Sequence, residues 1–162
     1  MSGRCGVGEG WDVPAAVADA CEFHWWHVVP GRALVLCMLS KVPLWYVGHF
    51  DGGRMKVCSG PVCDCCERGV GKQLRYVACG VEPTSRQLGV IEFSKPVAEL
   101  LRDWSRRNGG FRGMMVEFTK ATKSKHSRME VKYIDAVATP FCLAVEPYDL
   151  GEVMRLTWER LG

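Results

Sequence analysis

The sequence predicts a mainly β domain with helices attached, and three observations carry that expectation. Apolar and polar residues alternate through Met114–Thr119 and Arg128–Tyr133, as strands with one covered and one polar face do. Val97, Leu100, Leu101 and Trp104 fall at i, i+3, i+4 and i+7, placing a helix between those strands and an earlier strand group. The chain has 162 residues at 18.1 kDa, 48% hydrophobic and 24% charged, which suits one globular domain with a continuous core.

Taken in order, the first ten residues, with Gly3, Gly6, Gly8 and Gly10, read as a flexible tail. Residues 11–32 read as an N-terminal extension, with a short helix over Ala15–Cys21 and no clean period in HWWHVVPG. Its His24 and His27, without acidic or thiol company, are read as structural. Ala33–Leu39 is the longest apolar run, far short of the ~18 residues that span a bilayer, and reads as the first strand. Pro43–Phe50 is the second, after a turn at Ser40-Lys41. Gly48–Gly71 is a Gly- and Cys-rich excursion, followed by strands at Gln73–Val81 and Leu88–Phe93. The helix takes Ser94 as N-cap and Pro96 in its first turn, and stops at Asn108-Gly109-Gly110. Two strands joined by the basic KATKSKHS follow. After Pro140, Leu150, Val153, Met154, Thr157, Trp158 and Leu161 share one face of a C-terminal amphipathic helix, expected to pack on its own core.

This order matches a five-stranded Greek-key barrel of the OB type, with its helix between strands three and four. The barrel would occupy 33–135 with a loop inserted at 49–66, and 136–162 would be a C-terminal extension.

The inserted loop concentrates metal-binding chemistry. Four of nine cysteines lie between Cys58 and Cys66, and an odd total fits disulfide pairing poorly, which favours a reducing compartment. His49, Cys58, Cys63 and Cys66 give H-x8-C-x4-C-x2-C. Zinc takes four such donors in a tetrahedron, and glycines at 52, 53 and 60 let the loop fold back. Cys65 in place of Cys66, or four cysteines without His49, are the alternatives. Three thiolates and an imidazole leave a charge that Arg54, Lys56 and Arg68 would balance. Pro61-Val-Cys63-Asp-Cys65-Cys66 faintly echoes zinc deaminases, but His49-Phe50-Asp51 offers an aspartate where their glutamate stands. Four protein ligands leave water no position, so the zinc is read as structural and the protein as no enzyme. No phosphate loop or serine elbow is present.

Charge supplies the second clue. The net charge is +3, but residues 31–134 hold 18 of 21 basic and 9 of 18 acidic residues. A basic middle between mildly acidic ends points to a polyanion. Single-strand binders pair cations with flat side chains on which bases stack. Trp45, Tyr46, Phe50 and Tyr76 are the stacking candidates, with Trp45 and Tyr46 pointing oppositely. Arg54, Lys56, Lys72, Arg75, Arg112, Lys120, Lys123, Lys125, Arg128 and Lys132 are the phosphate candidates.

The stretch from Leu39 to Tyr133 resembles phage- and mobile-element-type single-stranded DNA-binding proteins, in which a zinc loop is set into an OB fold. The residues that carry the likeness are His49, Cys58, Cys63 and Cys66, LRYVA (74–78), GVIEFSKP (89–96) and GMMVEFTKATKSKHSRMEV (113–131). T4-type helix-destabilising proteins are similar in arrangement, also holding one zinc through one histidine and three cysteines, though the spacing here is tighter. The resemblance implies sequence-tolerant single-stranded DNA binding in replication or recombination, with RNA the other candidate ligand. It also implies a bacterial or phage-infected cytoplasm and no membrane partner. Such proteins often end in an acidic tail; this sequence ends in TWERLG, so partner recruitment by that route is not expected. The alternative is a zinc-stabilised adaptor that docks a protein through its Trp158-bearing C-terminal helix or its metal loop, with self-association a further partner expectation.

Overall fold

The computed structural model describes residues 23–122, 128–136, 138 and 140–161, with 158–161 as backbone only. The tail, the Ala15–Cys21 helix, Cys5, Cys21, Lys123 and Lys125 therefore lie outside the described residues, as do the side chains of Trp158 and Leu161.

The strands are β1 (Leu34–Met38), β2 (Leu44–Asp51), β3 (Arg54–Val57), β4 (Lys72–Val81), β5 (Leu88–Ser94), β6 (Met115–Lys120) and β7 (Met129–Ile134). The helices are α1 (Asp64–Glu67), α2 (Lys95–Arg107), α3 (Pro140–Ala144) and α4 (Leu150–Leu161). All strand pairings are antiparallel, in the order β3-β2-β4-β1-β6-β7, with β5 on the other edge of β4. The long β4 pairs through Lys72–Val77 with β2 and through Gly80–Val81 with β1. The outer edge of β5 is met by the HWWH segment, where Trp26 N–H donates to the Val90 carbonyl (2.8 Å) and Val90 N–H to that of His24 (2.7 Å).

The expected closed, five-stranded barrel is not formed: the sheet is open and has seven strands. The reason lies in which faces are apolar. A barrel strand turns one face inward, whereas Leu36, Cys37, Met38 and Leu39 are all 0% exposed. Such continuous apolar runs belong to strands covered on both sides. Leu36, Met38, Ala78, Ile91, Phe93, Val116 and Phe118 pack with Val97, Ala98 and Leu101 of α2 on one face. Cys37, Leu39, Val77, Cys79 and Val90 pack with Cys142 of α3 and Val153 and Met154 of α4 on the other. Helices thus sandwich the sheet, and each fully buried Leu, Val or Phe contributes about 1.5–3 kcal/mol.

The C-terminal helix docks on its own sheet as expected, with Asp149 Oδ1 accepting from Glu152 N–H at its start (3.2 Å). In α2, Ala98 rather than Leu100 faces the sheet, and Leu100 is exposed. Asn108 ends that helix, its side-chain amide donating to the Trp104 carbonyl (2.7 Å), while the Tyr133 hydroxyl donates to Asn108 Oδ1 (3.1 Å) and ties the end to β7. All seven described cysteines are free thiols. Burial, with Cys142 alongside, pushes the Cys37 thiol up to about 12, so it packs as an inert small hydrophobe. Among the described residues, no helix is long and apolar enough to cross a membrane.

Candidate metal centre

A tight hairpin begins the site. Asp51-Gly52-Gly53-Arg54 turns with φ of 61° and 80° at the two glycines, the left-handed pair of a type I′ turn. The register sets His49 opposite Lys56 and Gly48 opposite Val57. Cys58 N–H extends the ladder to the Val47 carbonyl (2.9 Å), which brings its side chain back toward His49. Gly48 is required by this close approach, because a Cβ there would come within 2.9 Å of Met55 Sδ and 3.0 Å of the Lys56 carbonyl. The chain turns again at Gly60 (φ 86°), and Cys63 N-caps α1, placing Cys63 and Cys66 one turn apart.

The four donor atoms of His49, Cys58, Cys63 and Cys66 lie within 4.8 Å of one another. Cys58 Sγ and Cys66 Sγ are 3.6 Å apart, and His49 Nε2 is 3.5 Å from both Cys63 Sγ and Cys66 Sγ. A tetrahedron with metal–sulfur bonds near 2.3 Å and a metal–nitrogen bond near 2.0 Å has S–S edges of about 3.8 Å and S–N edges of about 3.5 Å. The spacing is that of ligands around one small ion. His49 is 0% exposed, and its Nδ1 is 2.9 Å from the Val70 carbonyl and 3.1 Å from that of Gly71. Carbonyls only accept, so Nδ1 carries the proton and Nε2 presents its lone pair to the sulfurs.

Comparison with protein-family models, with curated proteins and with solved structures finds no significant match. The chemistry of the site is therefore read from its own residues.

Electrostatics separates the thiols. The backbone amides of Cys66 and Ser59 lower the Cys63 pKa to about 6, and that of Gly60, with His49, lowers Cys58. Burial, then the neighbouring Cys58, pushes Cys66 up to about 11, a penalty that a cation among the sulfurs removes. Cys65 stands outside the quartet: its Sγ lies 3.8 Å from Asp51 Oδ2 and 3.6 Å from Arg68 Nη2, and burial raises its pKa. Cys66 and His49, and not Cys65, thus belong to the quartet that could hold a metal ion.

The basic residues next to the loop are already occupied. Arg68 and Lys56 both grip Asp51, at 2.7 and 2.8 Å, and Arg68 also meets Asp64 at 3.0 Å. The Arg68 and Lys56 hydrogen bonds hold the Asp51 carboxyl well below the usual carboxylate range, so it does not carry a proton to donate near neutral pH. This ion-pair set clasps hairpin to helix and was invisible in the sequence, as was β3, although Asp-Gly-Gly ahead of Arg54–Val57 is a hairpin signal.

The expected nucleic-acid residues divide between faces and places. Trp45 pairs with Tyr76, and Tyr76 with Phe93, so the three share one face in a row across β2, β4 and β5. Trp45 is 64% exposed, and the Tyr76 and Phe93 rings are parallel within 3° at 6.1 Å. Tyr46 is buried on the opposite face, correcting its place among the stacking candidates. Phe50 is exposed but lies on that opposite face too, across from Met55. Arg75 is likewise corrected: its Nε pairs with Glu92 at 2.7 Å beneath the sheet face that bears Tyr76. Lys72 is exposed opposite His49 in β2. Arg54 lies in β3, opposite Asp51. Arg112 is committed to the Leu143 carbonyl (3.0 Å), holding the end of α3. Lys120 and Lys132 lie on β6 and β7, opposite Met129 and Glu117, and exposed Arg128 precedes β7; β1 and β4 separate this group from β2.

Proposed function

We propose that this protein binds single-stranded nucleic acid, DNA foremost, as a non-catalytic protein whose Cys3His centre holds a structural zinc ion. The observation that carries the reading is the Trp45–Tyr76 row, an exposed indole beside a partly covered phenol on one sheet face. Successive bases stack on such surfaces at about 1–3 kcal/mol each, and Lys72 and the basic middle of the chain supply phosphate neutralisation. In this reading the open sheet takes the part that the cleft wall plays in an OB barrel. The metal hairpin pairs with Gly48–Asp51, the far end of the strand that presents Trp45.

Zinc suits the donor set, since three thiolates and one imidazole are borderline-soft and fill its tetrahedron. With four protein ligands it has no position for a reacting water, and Asp51 is engaged by Arg68 and Lys56. The adaptor reading has less support, because Val153 and Met154 of the C-terminal helix already face the sheet.

The test is titration of zinc-loaded protein with oligo-dT at about 50 and 200 mM salt. The expected result is binding that weakens steeply with salt and weakens again in Trp45→Ala. Absent or salt-insensitive binding overturns the proposal.

A further inference from the structure

We infer that the cleft between α2 and the β4–β5 face is a pocket for one unstacked nucleobase, with Lys41 taking the phosphate that links it to a second base on Trp45. This rests on the nucleic-acid reading above and gives it a subsite.

The cleft measures about 330 Å³ and runs between Tyr76 and Phe93 of the sheet, Phe111, and Leu101 of α2. Three aromatic rings in so small a space favour a flat, apolar occupant. Its volume is at the lower end of ligand clefts, which run from ~300 to 1,000 Å³, and suits one heterocycle with part of its sugar. The space exists because small residues face the rings: Ala98 and Ser105 of α2, and Gly110 beyond it, all line the cleft.

Its mouth is marked by charge. Lys41 and Arg102 line it, together with Glu99. Glu99 is 3.9 Å from Lys95, and Arg102 is 3.8 Å from Asp103; both pairs are long and solvent-exposed, so an incoming phosphate competes with little. Among the described residues Lys41 has no ion-pair partner within 4.0 Å.

The same loop borders a second, shallower cleft of about 500 Å³. Lys41, Val42 and Pro43 line both, and Trp45 lines the second with Tyr148 and Leu150. The loop therefore borders the aromatic-lined pocket, and the exposed Trp45 indole lies next to that pocket on the same sheet face, in the row with Tyr76. A strand lying along this face would place one base in the pocket and the next on Trp45, with the intervening phosphate near Lys41. The footprint is two nucleotides.

Zinc-loaded full-length protein, wild type, Ser105→Trp and Lys41→Gln, is titrated with a dT octanucleotide at several salt concentrations. Ser105→Trp fills the cleft and is expected to weaken binding roughly tenfold, the scale of one lost stacked base. Lys41→Gln is expected to reduce the salt slope by about one. To separate the pocket from any folding effect of the tryptophan, the wild-type protein is also titrated with the dinucleotide dTpdT while the Tyr76, Phe93 and Phe111 ring signals are followed by NMR. Shifts of those signals support the pocket. Octanucleotide binding by wild type that Ser105→Trp leaves unchanged, or ring signals that stay still while the Trp45 indole shifts, removes the pocket and leaves the broader reading standing. Failure of wild type to bind the octanucleotide removes both.

Discussion

The centre of the sheet and the metal hairpin are held by different forces. Along β1 and β4, Leu36, Cys37, Met38, Val77, Ala78 and Cys79 are 0% exposed between two helical layers, so dispersion and the hydrophobic effect fix them. In the hairpin all four residues of β3 are half-buried, and from Cys58 to Gly71 only Cys63 and Cys65 are buried. Ordering that backbone costs roughly 1–2 kcal/mol per residue with little apolar burial to offset it. Four ligands and the Asp51 ion pairs must supply the difference. On the proposed zinc reading, one chain contains a region that water expels and a region that an ion gathers, and each should fail alone.

The largest effect that would break this comparison comes from chelation. Structural zinc contributes about 10–16 kcal/mol in zinc-finger peptides, so its removal should release the hairpin. Hydrogen exchange after chelation should speed up across residues 54–71 while Leu34–Met38, Val77–Val81 and Val116–Phe118 stay protected. Uniform loss across the sheet would show that the two regions are one cooperative unit. Next in size is Phe118→Ala, at a residue 0% exposed. It should cost about 3–5 kcal/mol in urea unfolding while the folded protein keeps its full zinc content.

Two cysteine variants sharpen the comparison inside the hairpin. Cys66→Ser should lose stoichiometric zinc, measured by elemental analysis of purified protein, whereas Cys65→Ser should keep it. The reverse pattern would move the ligand to the neighbouring position. The smallest effect lies far from the metal, in the turn between β4 and β5. Glu82 accepts from the N–H groups of Ser85 (2.7 Å) and Thr84 (3.0 Å), and hydrogen bonding from the Ser85 side chain, then from these N–H groups, lowers its pKa from 4.5. A carboxylate with a lowered folded-state pKa stabilises fully above its unfolded value and loses that contribution as pH falls through the folded one. The wild-type advantage over Glu82→Gln, about 0.5 kcal/mol at this half-buried surface site, should hold above pH 4.5 and shrink below it. An advantage that does not change with pH would contradict the assignment.

Much of this was legible along the chain. Alternation located β6 and β7, and apolar runs located β1, β2 and β4, because a side chain's face follows from local pleat. The metal quartet was legible because Cys63 and Cys66 lie within one helical turn and His49 ends a strand that leads into the loop. Sheet closure was not, since it depends on pairings between distant strands. The run Ala33–Leu39 did hold the clue, having no polar face to turn outward. The loss of Arg75 to Glu92 was equally hidden, because it depends on the register between β4 and β5. Tyr46 could be separated from Trp45 as pointing oppositely, but which of them met water awaited the placement of α4 on the sheet's second face.

The central claim is a single ion held by one imidazole and three thiolates, and X-ray absorption at the zinc edge of the purified protein tests it most directly. The account predicts one zinc per chain with three sulfur neighbours near 2.3 Å, one nitrogen near 2.0 Å and no water. A shell containing oxygen, or protein that binds no zinc when supplied with it, would contradict it.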